Sequence, residues 1–290
     1  MFQGFEQASF LRDGVRINYL CSQPGGHQAI LFLHGFPQTH AMWAKISPQF
    51  QLEFDVICPD LRGYGASDKP DEVAQYSFAE MALDQIALMQ SLGYERYHVV
   101  GHDRGARVAH RLALLAPDAV ASVTLMDIVP THLLLDALSK EVAQAYFHWF
   151  FLAQPEPVPE NMIAADPIAF FNSCLMGWGQ AGDCGFDRDQ MAAYRVAWQD
   201  RDTIRGMCND YRAALIHDFQ DDAADLGRRL DMPACIMWGR DGIMGQQYDV
   251  ASTWSNWFDD ITPVDMPGGH FFPDHVPDLV TEKLRQFLCA

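Results

Sequence analysis

The sequence predicts an α/β fold: a mostly parallel central sheet flanked by helices and interrupted by an inserted helical cap. Three observations carry this. Short β-rich apolar runs recur at 30–33, 56–58, 98–100, 122–126, 234–238 and 261–264. Several are too continuously apolar for a one-sided sheet, as expected of parallel strands covered on both faces. Helical segments alternate with them: 78–92 precedes the run at 98–100, and 104–116 follows it and stops at Pro117. Such a βαβ rhythm implies a parallel sheet. The rhythm then breaks after Asp127, because 131–230 is rich in helix formers, aromatics and prolines and holds no convincing strand. The simplest organisation is a core made of 1–130 and 231–290 with a helical cap of 131–230 between them.

Taken in order, the chain opens on a hairpin over 9–19, where Asp13-Gly14 is a strong two-residue turn signal. With 290 residues, 49% of them hydrophobic, there is ample material for a sizeable core. The formal net charge of −18 excludes the basic footprint that a nucleic-acid or anionic-membrane partner requires. No apolar run approaches the roughly 20 residues that span a bilayer. The start Met1-Phe2-Gln3-Gly4-Phe5-Glu6 lacks the pattern of a secretory leader, so a cytoplasmic protein is expected. Seven cysteines, an odd number without metal-ligand spacing, read as reduced thiols, Cys174 and Cys184 included.

The chemistry is announced by Gly101-His102-Asp103-Arg104-Gly105, between the strand Tyr97-His98-Val99-Val100 and a helix opening at Arg104. This is the nucleophile elbow of the α/β-hydrolase fold, whose glycines allow a sharp turn that exposes the central side chain above the sheet. Here that side chain is an aspartate. A carboxylate is ionised at neutral pH without help from a base, and it suits displacement at a saturated carbon with formation of an ester. The competing reading, a helix N-cap aspartate, leaves the flanking glycines unexplained.

Hydrolysis of such an ester needs a general base to activate water. His270, in Pro267-Gly268-Gly269-His270-Phe271 after the last predicted strand, is the candidate. Two acids can orient it: Asp127 ends the strand at 122–126, and Asp241 follows the strand at 234–238. Spacing alone leaves both open. His34-Gly35-Phe36-Pro37 follows the strand at 30–33, where the fold supplies an oxyanion-hole amide. The backbone N–H groups of Phe36 and Arg104 are the expected pair. Asp60-Leu61-Arg62-Gly63-Tyr64-Gly65-Ala66-Ser67-Asp68 reads as a structural loop.

The elbow Gly101-His102-Asp103-Arg104-Gly105-Ala106-Arg107 resembles that of the haloacetate dehalogenases. The likeness extends to His34-Gly35-Phe36-Pro37-Gln38-Thr39, to His148-Trp149-Phe150-Phe151-Leu152-Ala153-Gln154-Pro155, to Asp210-Tyr211-Arg212-Ala213 and to Gly269-His270-Phe271. The resemblance implies that Asp103 attacks the halogen-bearing carbon, that His270 activates water and that Asp127 is the acid. It implies Arg104 and Arg107 as a carboxylate clamp, three apart on one helix face. His148, Trp149 and Tyr211 would hold the departing halide. His102 and Trp178 are expected to line the pocket, Trp178 limiting substrate size. The expected substrate is a small anionic haloacid, with no metal or organic cofactor, and the expected assembly is a homodimer. A rival is an epoxide hydrolase using the same Asp–His chemistry with the cap tyrosines Tyr194 and Tyr211. Arg104 argues against it, because a neutral epoxide has no use for a cation beside the nucleophile. A small-carboxylate-binding module without activity is the third reading.

Overall fold

The computed structural model describes residues 1–177 and 185–289. Eight strands form one sheet: β1 (Phe5–Arg12), β2 (Val15–Ser22), β3 (Ala29–Leu33), β4 (Asp55–Pro59), β5 (Tyr97–His102), β6 (Val120–Met126), β7 (Ala234–Gly239) and β8 (Ile261–Met266). Their spatial order is β1-β2-β4-β3-β5-β6-β7-β8. β2 is antiparallel to both β1 and β4, and every other pair is parallel.

The expected hairpin is present and longer than its apolar signal. Asp13 and Gly14 take φ values of 49° and 84°, the left-handed pair that a two-residue hairpin turn requires. An edge strand such as β1 is held by its backbone ladder more than by an apolar run, so side-chain pattern understates its length. At the centre, β3, β4 and β5 are buried along their whole length. Two helices flank them, α1 (Phe78–Ser91) and α2 (Arg104–Leu115). Ser77 caps α1 by accepting from the Glu80 N–H, and Pro117, which cannot continue a helix, follows the end of α2.

Between β6 and β7 the described residues contain no strand. They form α3 (Thr131–Asp136), α4 (Lys140–Ala145), α5 (Phe147–Leu152), α6 (Val158–Ala165), α7 (Pro167–Met176), α8 (Arg188–Trp198), α9 (Arg201–Ala213), a π-helical turn at Ala214–Asp218 and α10 (Phe219–Ala224). The chain then completes the sheet with α11 (Ile243–Gln247), α12 (Val250–Trp254), α13 (Phe272–His275) and α14 (Pro277–Leu288) around it. The carboxyl ends of β3, β5, β6 and β8 bring Phe36, Asp103, Asp127 and His270 together, which is where open α/β sheets place their ligands.

Candidate active site

The elbow is strained as its motif demands. Asp103 joins β5 to α2 at φ 50° and ψ −116°, a conformation that costs on the order of 1–3 kcal/mol in a non-glycine residue. Its backbone is held from both sides. Its N–H donates to Met126 O at 3.1 Å, and its carbonyl accepts from Ala106 and Arg107 at 3.1 and 3.2 Å. The nearby glycines are required by space: a Cβ on Gly105 would lie 2.3 Å from Leu33 O, and one on Gly35 would lie 2.6 Å from the Asp103 Cβ. The Asp103 side chain makes no capping bond to α2. Its Oδ1 accepts the Phe36 N–H at 2.8 Å instead, so the N-cap reading fails.

His270 meets Asp127. Its Nδ1–H donates to Asp127 Oδ2 at 2.6 Å, while its Nε2 stands 3.7 Å from Asp103 Oδ2. The other Asp127 oxygen accepts the Gly239 N–H at 2.9 Å. Asp241 is exposed and accepts the Gly268 N–H at 3.0 Å, shaping the loop that carries His270 without touching the imidazole. Burial opposes charge on His270, but the bond to Asp127 and the field of both aspartates hold its pKa above 6.5. Burial likewise opposes ionisation of Asp103, yet His270, His102, Arg104 and the Phe36 N–H keep it below the usual carboxylate value. His102 supports the loop by donating from Nε2 to His270 O at 2.8 Å, and burial lowers its pKa to about 4.

The two arginines expected to form a carboxylate clamp are not equivalent. The Arg104 guanidinium is fully buried and pairs with Asp210: Nε donates to Oδ2 at 2.9 Å, and Nη2 bonds Oδ1 and the backbone carbonyl. Tyr64 adds a bond to the same carboxylate at 2.5 Å. Arg104 is thus electrically offset. Arg107 has no salt-bridge partner among the described residues; its Nη1 donates to Val129 O at 3.1 Å and Thr131 Oγ1 at 2.9 Å. Burial, reinforced by the neighbouring Arg104, lowers its pKa to about 10. It remains cationic at neutral pH and supplies the uncompensated positive charge.

A cavity of about 280 Å³ is lined by Phe36, Asp103, Tyr146, His148, Tyr211 and His270 among others; Arg104, Arg107 and His102, which was expected in the pocket, are buried outside that lining. Of the expected halide-binding residues, His148 stacks on Phe36 at 5.9 Å between ring centroids, and Tyr211 meets both rings edge-on. Trp149 stands behind this wall, its ring 4.9 Å from the guanidinium carbons of both Arg104 and Arg107. Trp178 and Cys184 lie outside the described residues. Several buried polar atoms around Asp103 have no hydrogen-bond partner among the described residues: His102 Nδ1, Arg104 Nη1, Arg107 Nε, His148 Nδ1 and Tyr211 Oη.

A family model described as the alpha/beta hydrolase fold matches residues 28–274. The chain is 46% identical, over 99% of its length and 95% of the relative's, to a fluoroacetate dehalogenase from Burkholderia sp.. It belongs to the haloacetate dehalogenases of the alpha/beta hydrolase superfamily. Against a soluble epoxide hydrolase from Corynebacterium sp. (strain C12), identity falls to 27% over 95% of this chain and 94% of the other. Among solved structures, ALR0039 from Nostoc sp PCC 7120, a candidate alpha/beta hydrolase, superposes with a TM-score of 0.95 at 41% identity, covering 99% of both chains. A candidate epoxide hydrolase from Pseudomonas aeruginosa gives 0.92 at 36% identity, covering 100% of this chain and 97% of the other.

Motif reading of this dehalogenase missed three residues. Asp210 stood in a motif that resembles the family's, but its pairing with Arg104 spans 106 positions and has no local signature. Tyr64 sat in a loop read as purely structural. Tyr146 lines the cavity, yet in sequence it merges with the aromatic run that follows it. Conversely, Tyr194 is drawn away: its hydroxyl accepts from Gln38 Nε2 at 3.1 Å beside Asp274.

Proposed function

We propose that the chain hydrolyses small 2-haloacids, converting a haloacetate and water to glycolate and halide through an ester on Asp103. The observation that carries this reading is the set of unpartnered buried polar atoms around the nucleophile. Nearly all buried polar groups in proteins are hydrogen-bonded, so donors left open beside a reactive carboxylate fit a polar ligand. Arg104 Nη1 and Arg107 Nε suit a substrate carboxylate, and Tyr211 Oη with His148 suits a departing halide. The dehalogenase relative supports the same substrate class.

In this mechanism Asp103 Oδ2 attacks the halogen-bearing carbon while Oδ1 stays bonded to the Phe36 N–H. The Asp103 oxygen–carbon bond forms as the carbon–halogen bond breaks, and halide leaves against the Tyr211 and His148 donors. Arg107 holds the carboxylate by charge and Arg104 by a directed N–H, so the carbon is fixed in line with the nucleophile. Neutral His270, oriented by Asp127, then takes a proton from water, which adds to the Asp103 carboxyl carbon. The backbone N–H groups of Phe36 and Arg104 receive the developing oxyanion. Collapse breaks the bond between the Asp103 carboxyl carbon and the ester oxygen, the glycolate oxygen takes the proton from His270, and Asp103 is restored as its carboxyl proton passes to solvent.

Residues 1–130 and 231–290 act as the core and 131–230 as its cap. The reading carries with it a cytoplasmic homodimer, whose stoichiometry sedimentation tests. Repeated turnovers in ¹⁸O-water should place label in Asp103, read by mass spectrometry of its peptide. His270→Asn should accumulate enzyme carrying one carboxymethyl group. An unlabelled Asp103, or an unmodified variant after incubation with haloacetate, would sink the covalent route.

A further inference from the structure

We propose that the same site opens small anionic epoxides, namely acids whose carboxylate adjoins the ring, such as 2,3-epoxypropanoate, and hydrolyses them to the diol acid. This rests on the dehalogenase reading and extends it to a leaving group that stays tethered to the substrate.

The distinction lies in what the leaving atom needs. A halide departs as a stable anion and asks only for hydrogen bonds. An epoxide oxygen departs as an alkoxide and needs a proton in the transition state. The wall facing Asp103 contains such a proton. Tyr211 is 1% exposed, its hydroxyl has no partner among the described residues, and it lines the cavity that holds Asp103. Burial and the charge of Asp103 push its pKa well above 10, so it stays a phenol and a donor. His148, with its ring centroid 5.9 Å from that of Tyr211, stands beside it as a second polar group. Tyr211 meets Phe36 edge-on at 5.1 Å, and Phe36 is the residue whose N–H holds Asp103. Acid, nucleophile and nucleophile holder are therefore packed as one unit.

The cation of Arg107 selects which epoxide fits. A neutral epoxide leaves that buried guanidinium without an anion, whereas an epoxy acid presents a carboxylate adjacent to the ring carbon. Aligned as a haloacetate is, 2,3-epoxypropanoate offers C2 to Asp103. The Asp103 oxygen–C2 bond forms, and the C2–ring-oxygen bond breaks with its electron pair going to oxygen. The Tyr211 hydroxyl gives that oxygen its proton. His270 takes a proton from water, hydroxide adds to the Asp103 carboxyl carbon, and the tetrahedral intermediate collapses. The bond cleaved is that between the Asp103 carboxyl carbon and the ester oxygen, which stays on C2; the released alkoxide takes the proton from His270, and the regenerated Asp103 carboxyl returns its proton to the Tyr211 phenolate. The sum is epoxypropanoate plus water giving glycerate, with inversion at C2.

The test follows racemic 2,3-epoxypropanoate and chloroacetate with the purified enzyme in ¹⁸O-water by NMR and mass spectrometry. Over repeated turnovers the label should appear in the C2 hydroxyl of glycerate. Loss of the general acid in Tyr211→Phe should slow epoxypropanoate turnover about 100-fold or more. Chloroacetate turnover should fall less, so the ratio of the two drops at least about tenfold, a change that misfolding alone does not produce. Enzyme that turns over chloroacetate but not epoxypropanoate, label at C3, or an unchanged ratio in Tyr211→Phe overturns the proposal and leaves the dehalogenase intact. Failure on both substrates overturns the dehalogenase reading beneath it.

Discussion

At the scale of single residues, the site keeps one carboxylate ionised and one imidazole basic within 3.7 Å of each other. Asp103 lies below its ordinary pKa, so it stays ionised into acid solution, as the proposed nucleophile must. His270 lies above 6.5, and its sign works in two directions. For stability, a raised histidine pKa contributes below the unfolded value, and that contribution is lost as pH rises through the folded value. In the proposed mechanism His270 must be neutral for turnover, so ester hydrolysis should slow as pH falls through its pKa. Once the ester forms, Asp103 is uncharged and one source of the upward shift is gone. NMR titration should therefore find the His270 pKa of the free enzyme above 6.5, with Asp103→Asn lowering it. The acid limb of kcat should lie below the free-enzyme value. Identical titrations of the two proteins would remove Asp103 from the account.

At the scale of elements, α2 does two jobs. Its N-terminus completes the elbow, and one face of basic side chains ties the helical insert to the sheet. Arg104 reaches Asp210 in α9, Arg107 reaches Val129 and Thr131 at the start of α3, and Arg111 pairs with Asp225 just after α10. The spacing of Arg104 and Arg107 was legible in sequence, because residues three apart share a helix face. Their partners were not, since contacts spanning 22 to 114 positions depend on how the insert folds back. Removing Asp210 leaves a buried guanidinium uncompensated. Asp210→Ala should lose about 3–5 kcal/mol in denaturant unfolding. In whatever folds, KM for haloacetate should rise more than kcat falls, because Arg104 loses its orientation. A stability change under about 1 kcal/mol would show the pair to be dispensable.

At the scale of the whole molecule, an enzyme of formal charge −18 must admit an anion. On the proposed mechanism the acidic surface repels the substrate at long range, and the buried Arg107 attracts it at short range. Salt screens exposed charges over about 8–10 Å and reaches buried ones far less. Raising ionic strength from low values with a bulky, non-halide anion should therefore increase kcat/KM for haloacetate. Neutralising Arg107 should lower kcat/KM at every salt concentration. A kcat/KM that instead falls with salt would mean that a positive local field dominates the approach. Among the described residues no helix is long and apolar enough to cross a membrane.

The sequence by itself carried the alternation of strands and helices with its helical insert, the elbow and the loop bearing His270. Each is written in a few neighbouring residues, where glycines, turn dipeptides and apolar periodicity constrain the backbone directly. Only the tertiary structure decided that Asp127 and not Asp241 meets His270, because strand order sets the end of β6 beside the elbow. It also decided that Asp210 offsets Arg104 while Arg107 has no salt-bridge partner among the described residues, and that Tyr146 and Tyr211, not Tyr194, line the cavity. These are pairings between distant segments, and their energies depend on burial and mutual geometry that no local motif contains.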